Sequence, residues 1–183
     1  TLETYRYAMP GEENIPQTEM WVFDVAAKSR VKVKADRFKD QTMSIATAPA
    51  PSVHRNPRNP HVPQFLSDSA GKLYFTRLSR DMHKLDVCVA DTATGEVKTV
   101  IEERLNTYIE SRPLRLANNE QELIFWSERD GWAHFYLYDA NTGQLKNRIT
   151  EGEFVATGLD SIDEKGRAMY FMAAGREQGE DPY

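Results

Sequence analysis

Two stretches decide how this chain is read: LYFTRLSRDMHKLDVCVADTATGEVKTVIEE, residues 73–103, and LIFWSERDGWAHFYLYDANTGQLKNRITEGE, residues 123–153. Arg80-Asp81 recurs as Arg129-Asp130, 49 residues on. Asp91 recurs as Asp139 and Thr94-Gly95 as Thr142-Gly143, both 48 residues on. Lys98 returns as Lys146, and the pair Tyr74-Phe75 returns as Ile124-Phe125 and again as Tyr170-Phe171. Matches in one order at a nearly fixed offset mark a repeated structural unit.

The unit is made of strands. LYFTRL, LIFWS and AMYFM are short runs rich in aromatic and β-branched residues, and LDVCVAD and HFYLYD follow the first two after a polar turn. D-x-x-T-G comes next, then EVKTVIE or QLKNRIT. A short hairpin loop often ends on a residue at positive φ, where glycine carries no Cβ penalty, and Gly95 and Gly143 suit that position. One more strand and turn precede each apolar pair, in VPQFLSDSAGK, RPLRLANNEQE and VATGLDSIDEKGR. Four strands in about 48 residues are the signature of a β-propeller blade. Blades are covered on both faces, which explains why HFYLY is nearly continuously apolar instead of alternating.

The fold expected is therefore all-β: a partial propeller of half a blade, two whole blades and another half, about three blades' worth of antiparallel units. TEMWVFDVAAKSRVKVKAD (18–36) matches only the second half of a unit, with Asp24 in the place of Asp91 and Asp139. Blades follow at 64–103 and 112–150, and a first half at 155–183. Closed propellers have about four to eight blades, so the 183 residues form one propeller segment, read as part of a longer protein. Residues 38–64 carry Pro49, Pro51, Pro57, Pro60 and Pro63 and read as a connection or insertion, with a short strand such as MSIA in its early part.

Apolar residues make up 40% of the chain, which supports a packed core. The net charge is -5 with no basic patch, so nucleic acid is not an expected partner. No apolar run approaches the ~18 residues of a transmembrane helix, and the opening TLETYRYAMPGEE lacks a signal peptide's apolar core. The single cysteine, Cys88, lies in the apolar run LDVCVA and reads as a small buried hydrophobe.

Ser127, Asp130 and His134 fall within eight residues and hold the letters of a hydrolytic triad. A hydrolase nucleophile of that type sits in G-x-S-x-G, and no serine here has that context. The three are expected instead to bond the blade turn, serine and aspartate to turn amides and His134 across the hairpin or to a buried polar group. The histidines His54, His61, His83 and His134 are dispersed without a paired ligand spacing. Gly175 and Gly179 do not lead into a helix pattern, as a phosphate loop would. No catalytic, cofactor-binding or metal residue is assigned to the chain.

FWSERDGWAHFYLYD (125–139) followed by LKNRITEGEFVATGLDSID (145–163) resembles the N-terminal propeller region of the dipeptidyl peptidase IV family, serine peptidases of the prolyl oligopeptidase clan, in its bacterial form. The family's S-x-x-x-G-aromatic-x-H element is met by Ser127, Gly131, Trp132 and His134, and its T-x-G-x-[WF]-x-V-like passage by Thr150, Gly152, Phe154 and Val155. GREQGEDPY (175–183) is similar to the lead into the next blade. YAMPGEENIP (7–16) resembles the Y-P-K-A-G-x-x-N-P element at Tyr7, Gly11 and Asn14, but Ala8 and Met9 stand where proline and lysine are usual. The resemblance implies an exported or periplasmic parent with an eight-bladed propeller and an α/β-hydrolase domain that releases dipeptides with proline or alanine second. The partners implied are that hydrolase domain, the remaining blades and the peptide substrate; a homodimer contact is left open, and no nucleic acid or membrane partner is expected. The nucleophile, acid and histidine, and the glutamate pair that holds the substrate's amino group, then lie outside this chain. The segment would wall the substrate cavity and gate peptide access. The rival reading is a stand-alone protein-binding propeller of the TolB or WD40 kind.

Overall fold

A computed structural model of the chain describes residues 13, 15–49 and 64–181. Twelve strands run in chain order among the described residues: β1 Trp21–Asp24, β2 Ser29–Lys32, β3 Thr42–Ile45, β4 Lys72–Leu78, β5 Lys84–Asp91, β6 Val97–Arg104, β7 Arg115–Ala117, β8 Glu122–Ser127, β9 His134–Asp139, β10 Leu145–Arg148, β11 Val155–Asp163 and β12 Ala168–Ala174. They form four antiparallel sheets: β1-β2, β3-β4-β5-β6, β7-β8-β9-β10 and β11-β12. This two-four-four-two series is a partial β-propeller. The terminal hairpins stay in separate sheets and do not pair with one another.

The sheets pack face to face, and the pleat shows how. Successive residues in a strand point to opposite faces. In β4, Leu73 and Phe75 join Met20, Val33 and Ala35 in a core with the first hairpin, while Tyr74 points the other way. Tyr74, Leu85 and Val87 meet Leu123, Phe125, Tyr136 and Tyr138 in the core between the two four-stranded sheets. Ile124, Trp126 and Phe135, from the other face of β8 and β9, pack with Phe154, Ala156 and Phe171 of the last hairpin and its lead-in. Both faces of β4, β5, β8 and β9 are therefore covered. That is why these strands read as continuous apolar runs.

One strand lies elsewhere than the sequence suggests. VPQFLSDSAGK was expected to open the blade at 64–103, but the sheet's first strand is Thr42–Ile45, paired in register Thr42 with Leu78 through Ile45 with Phe75. MSIA is thus part of the sheet, and the proline-rich stretch begins after it. Residues 64–66 pair instead with the stretch just after that strand, through a Phe65–Thr47 bridge with Leu66 N–H donating to Ala46 O and Ala48 N–H to Gln64 O.

The D-x-x-T-G segments form one turn twice. Asp91 Oδ1 accepts from the amides of Ala93 and Thr94 and from the Thr94 hydroxyl, and Gly95 N–H donates to Asp91 O. Asp139, Asn141, Thr142 and Gly143 repeat each bond. Gly95 and Gly143 have φ of 73° and 80°. The residue four beyond the turn aspartate has positive φ in the terminal hairpins too: Lys28 (51°) after Asp24 and Arg167 (52°) after Asp163.

Candidate functional site

Ser127 closes β8 and His134 opens β9, and they face one another in register. Their side chains do not bond one another. Ser127 Oγ accepts from the Arg129 amide at 3.1 Å and from Arg129 Nε at 3.2 Å. His134, 1% exposed, sets Nδ1 3.1 Å from Thr150 Oγ1 and Nε2 3.0 Å from Gly152 O. A carbonyl can only accept, so Nε2 donates to Gly152 O, and Thr150 Oγ1 also accepts from Phe135 N–H. Asp130 Oδ2 accepts from Tyr136 OH at 2.6 Å and from Arg148 NH1 at 3.1 Å. These bonds hold the Asp130 carboxyl below its ordinary pKa, with the Tyr136 hydroxyl the largest cause. A relay needs nucleophile and base within hydrogen-bond reach of each other, and here each group is committed to another partner.

The register explains what the pair is. Counting rungs from the open end of each hairpin, Lys72–Asp91 matches Glu122–Asp139, so Ser127–His134 occupies the rung of Arg77–Asp86. Arg77 and Asp86 were not singled out from the sequence, yet both are buried, at 4% and 0% exposure. Arg77 Nε donates to Asp86 Oδ2 at 2.9 Å, and Arg104 NH2 donates to Asp86 Oδ1 at 2.6 Å. Arg77 also reaches Ala35 O and Thr99 Oγ1. The sixth rung from the open end of each central hairpin thus carries a buried polar pair whose bonds tie down neighbouring segments. The signal was present, as charged residues inside the otherwise apolar runs LYFTRL and LDVCVAD.

Between the two central sheets Arg129 does similar work. Its NH2 donates to Glu103 Oε2 and its NH1 to Tyr138 OH, both at 2.6 Å, and its guanidinium lies 4.6 Å from the Tyr136 ring centre. Glu103 belongs to β6, so the pair bridges neighbouring sheets. At the far face, buried Glu122 accepts from Lys146 at 2.5 Å and from Arg167 at 2.6 Å, and these cations hold its pKa below the ordinary value, Arg167 first.

A cavity of about 270 Å³ opens where the first strands of three sheets converge. Ala48 and Leu66 come from the β3 edge, Arg115 and Leu116 from β7, and Leu159, Asp160 and Ile162 from β11. Edges of three successive sheets can share one cavity only on the side where blades draw together, which is the channel side of a propeller. Arg115 NH1 donates to Leu114 O at 3.0 Å. Burial alone lowers the pKa of its guanidinium.

His83 is exposed, and His54 and His61 lie outside the described residues. Among the described residues no group of three His, Cys, Asp or Glu could hold a metal ion. Cys88 is fully buried, and burial pushes its thiol pKa up to about 11.

A family model, that of the dipeptidyl peptidase IV (DPP IV) N-terminal region, matches residues 1–182. The chain belongs to this family. Among curated relatives, the dipeptidyl peptidase 4 named as probable in Aspergillus flavus is 22% identical over 177 residues, 92% of this chain and 21% of that protein. Its counterpart in Emericella nidulans is 25% identical over 120 residues, 60% of this chain and 15% of that protein. The crystal structure of Porphyromonas gingivalis dipeptidyl peptidase 4 superposes with a TM-score of 0.68 at 22% identity, covering 86% of this chain and 20% of that one. This member of the DPP IV N-terminal region family thus spans about a fifth or less of the length of these relatives.

Proposed function

We propose that the chain is a non-catalytic part of the propeller of an exported, dipeptidyl-peptidase-like serine peptidase, where it walls the substrate cavity and gates peptide access. The observation that carries this reading is the DPP IV N-terminal region match across 1–182, joined to a sheet series that belongs to a propeller. The separate commitments of Ser127, Asp130 and His134 support a structural role for that turn. The cavity on the converging edges supports a wall that faces the channel.

The test assays the whole protein and the isolated 1–183 chain on Gly-Pro and Ala-Pro dipeptide reporters. The expected result is turnover by the whole protein and none by the chain. An inert whole protein overturns the peptidase assignment, and turnover by the isolated chain overturns the non-catalytic role.

A further inference from the structure

The channel-side cavity holds an arginine whose bonding is incomplete. A guanidinium carries five N–H donors. Arg115 is partly buried, and the hydrogen bond the structure gives its side chain goes to the neighbouring Leu114 carbonyl, with no carboxylate among the described residues in ion-pair range. Yet Asp160 and Glu164 line the same cavity, with Leu66, Leu116 and Leu159 as apolar wall. A desolvated cation held away from nearby carboxylates is poised for an outside anion, since an arginine fork matches a carboxylate in geometry and charge. The volume, about 270 Å³, is near the lower end of small-molecule sites.

We infer that this cavity is a binding site for a short peptide with a free C-terminal carboxylate, of the size of a dipeptide. Arg115 takes the carboxylate, Asp160 and Glu164 offer negative charge to the ammonium, and the leucines receive the side chains. The inference rests on the peptidase reading, because a dipeptidyl peptidase releases such a product inside its cavity. It adds a position outside the hydrolase chemistry where that product is held.

The test uses the whole protein with its reactive serine blocked by a serine-directed phosphonate, titrated calorimetrically with Ala-Pro. The expected result is one dipeptide bound per blocked chain, with affinity at least tenfold weaker for Arg115→Ala. The unaltered protein should likewise bind Ala-Pro amide at least tenfold more weakly, a comparison that needs no variant to fold. Absence of binding after blockade, or equal affinity for Arg115→Ala or for the amide, overturns the site. Failure of the peptidase reading shows separately, as a protein that neither cleaves Ala-Pro reporters nor reacts with the phosphonate. The titration on that unblocked protein still decides the site: Arg115-dependent binding keeps it, and its absence overturns it.

Discussion

A Cβ placed on Gly143 would fall on the carbonyl oxygen of Val100, in the neighbouring sheet, well inside contact distance. Gly95 stands in the same relation to the carbonyl of Lys32. Each D-x-x-T-G turn therefore does two things: it reverses its own hairpin and seats its glycine on the last strand of the sheet before it. The exposed turns at Lys28 and Arg167 share the positive φ but use long side chains. Glycine is required where a sheet is packed against the turn, not by the turn conformation alone.

This separates two substitutions at equivalent turn positions. Gly143→Ala combines positive φ, ~1 kcal/mol, with overpacking of 1–3 kcal/mol, so it should cost about 2–4 kcal/mol in urea unfolding. Lys28→Gly relieves a left-handed side chain and should leave stability unchanged or raise it by up to ~1 kcal/mol. Equal, small effects at both positions would contradict the inter-sheet role of Gly143.

Arg129 and Glu103 join two sheets, and Glu103 is 4% exposed. Arg129→Ala strands a buried carboxylate and should cost about 2–4 kcal/mol, toward the low side for a broken buried pair because Arg129 keeps partial solvent access. Glu103→Gln in the same background should recover part of the loss. A double-mutant cycle giving additive effects would show that the pair does not couple the sheets.

The turn carboxylates and Glu122 make the fold acid-sensitive. Hydrogen bonds from Thr142 hold Asp139 below its ordinary pKa, the Thr94 hydroxyl does the same for Asp91, and Arg167 with Lys146 does so for Glu122. A lowered folded-state pKa adds stability that is complete above the unfolded value, ~4, and fades as pH falls through the folded one. The thermal midpoint should therefore hold near neutrality and fall below about pH 4, with Glu122→Gln and Asp139→Asn each flattening that fall. An acid limb unchanged by both substitutions would assign the sensitivity elsewhere.

Cys88, fully buried with its thiol pKa raised by burial to about 11, should resist thiol reagents in the native protein and label once per chain in denaturant. Fast native labelling would place it at a surface.

Most of the fold was legible because a blade repeats its chemistry. Asp91 and Asp139, Gly95 and Gly143, and the paired apolar runs fixed the turns, the strand order and the faces. The first strand of the second sheet was harder to place, since Thr42–Ile45 is a four-residue strand beside a proline-rich stretch, and VPQFLSDS carries a comparable apolar signal. The polar network hid for another reason. Arg77 meets Asp86, Arg129 meets Glu103 and Arg115 meets the cavity only through strand pairing and sheet stacking, which sequence spacing does not display. Ser127, Asp130 and His134 show the converse: adjacent letters suggested one site, and three dimensions send each side chain to a different partner.

The most direct test measures kcat/KM of the whole protein on an Ala-Pro reporter, unaltered and as Ser127→Ala, per folded molecule. The expected result is turnover by both at rates within a few-fold of each other. Turnover abolished by Ser127→Ala while the protein stays folded, or no turnover by either, would contradict the reading of this chain as a structural propeller segment of a dipeptidyl peptidase.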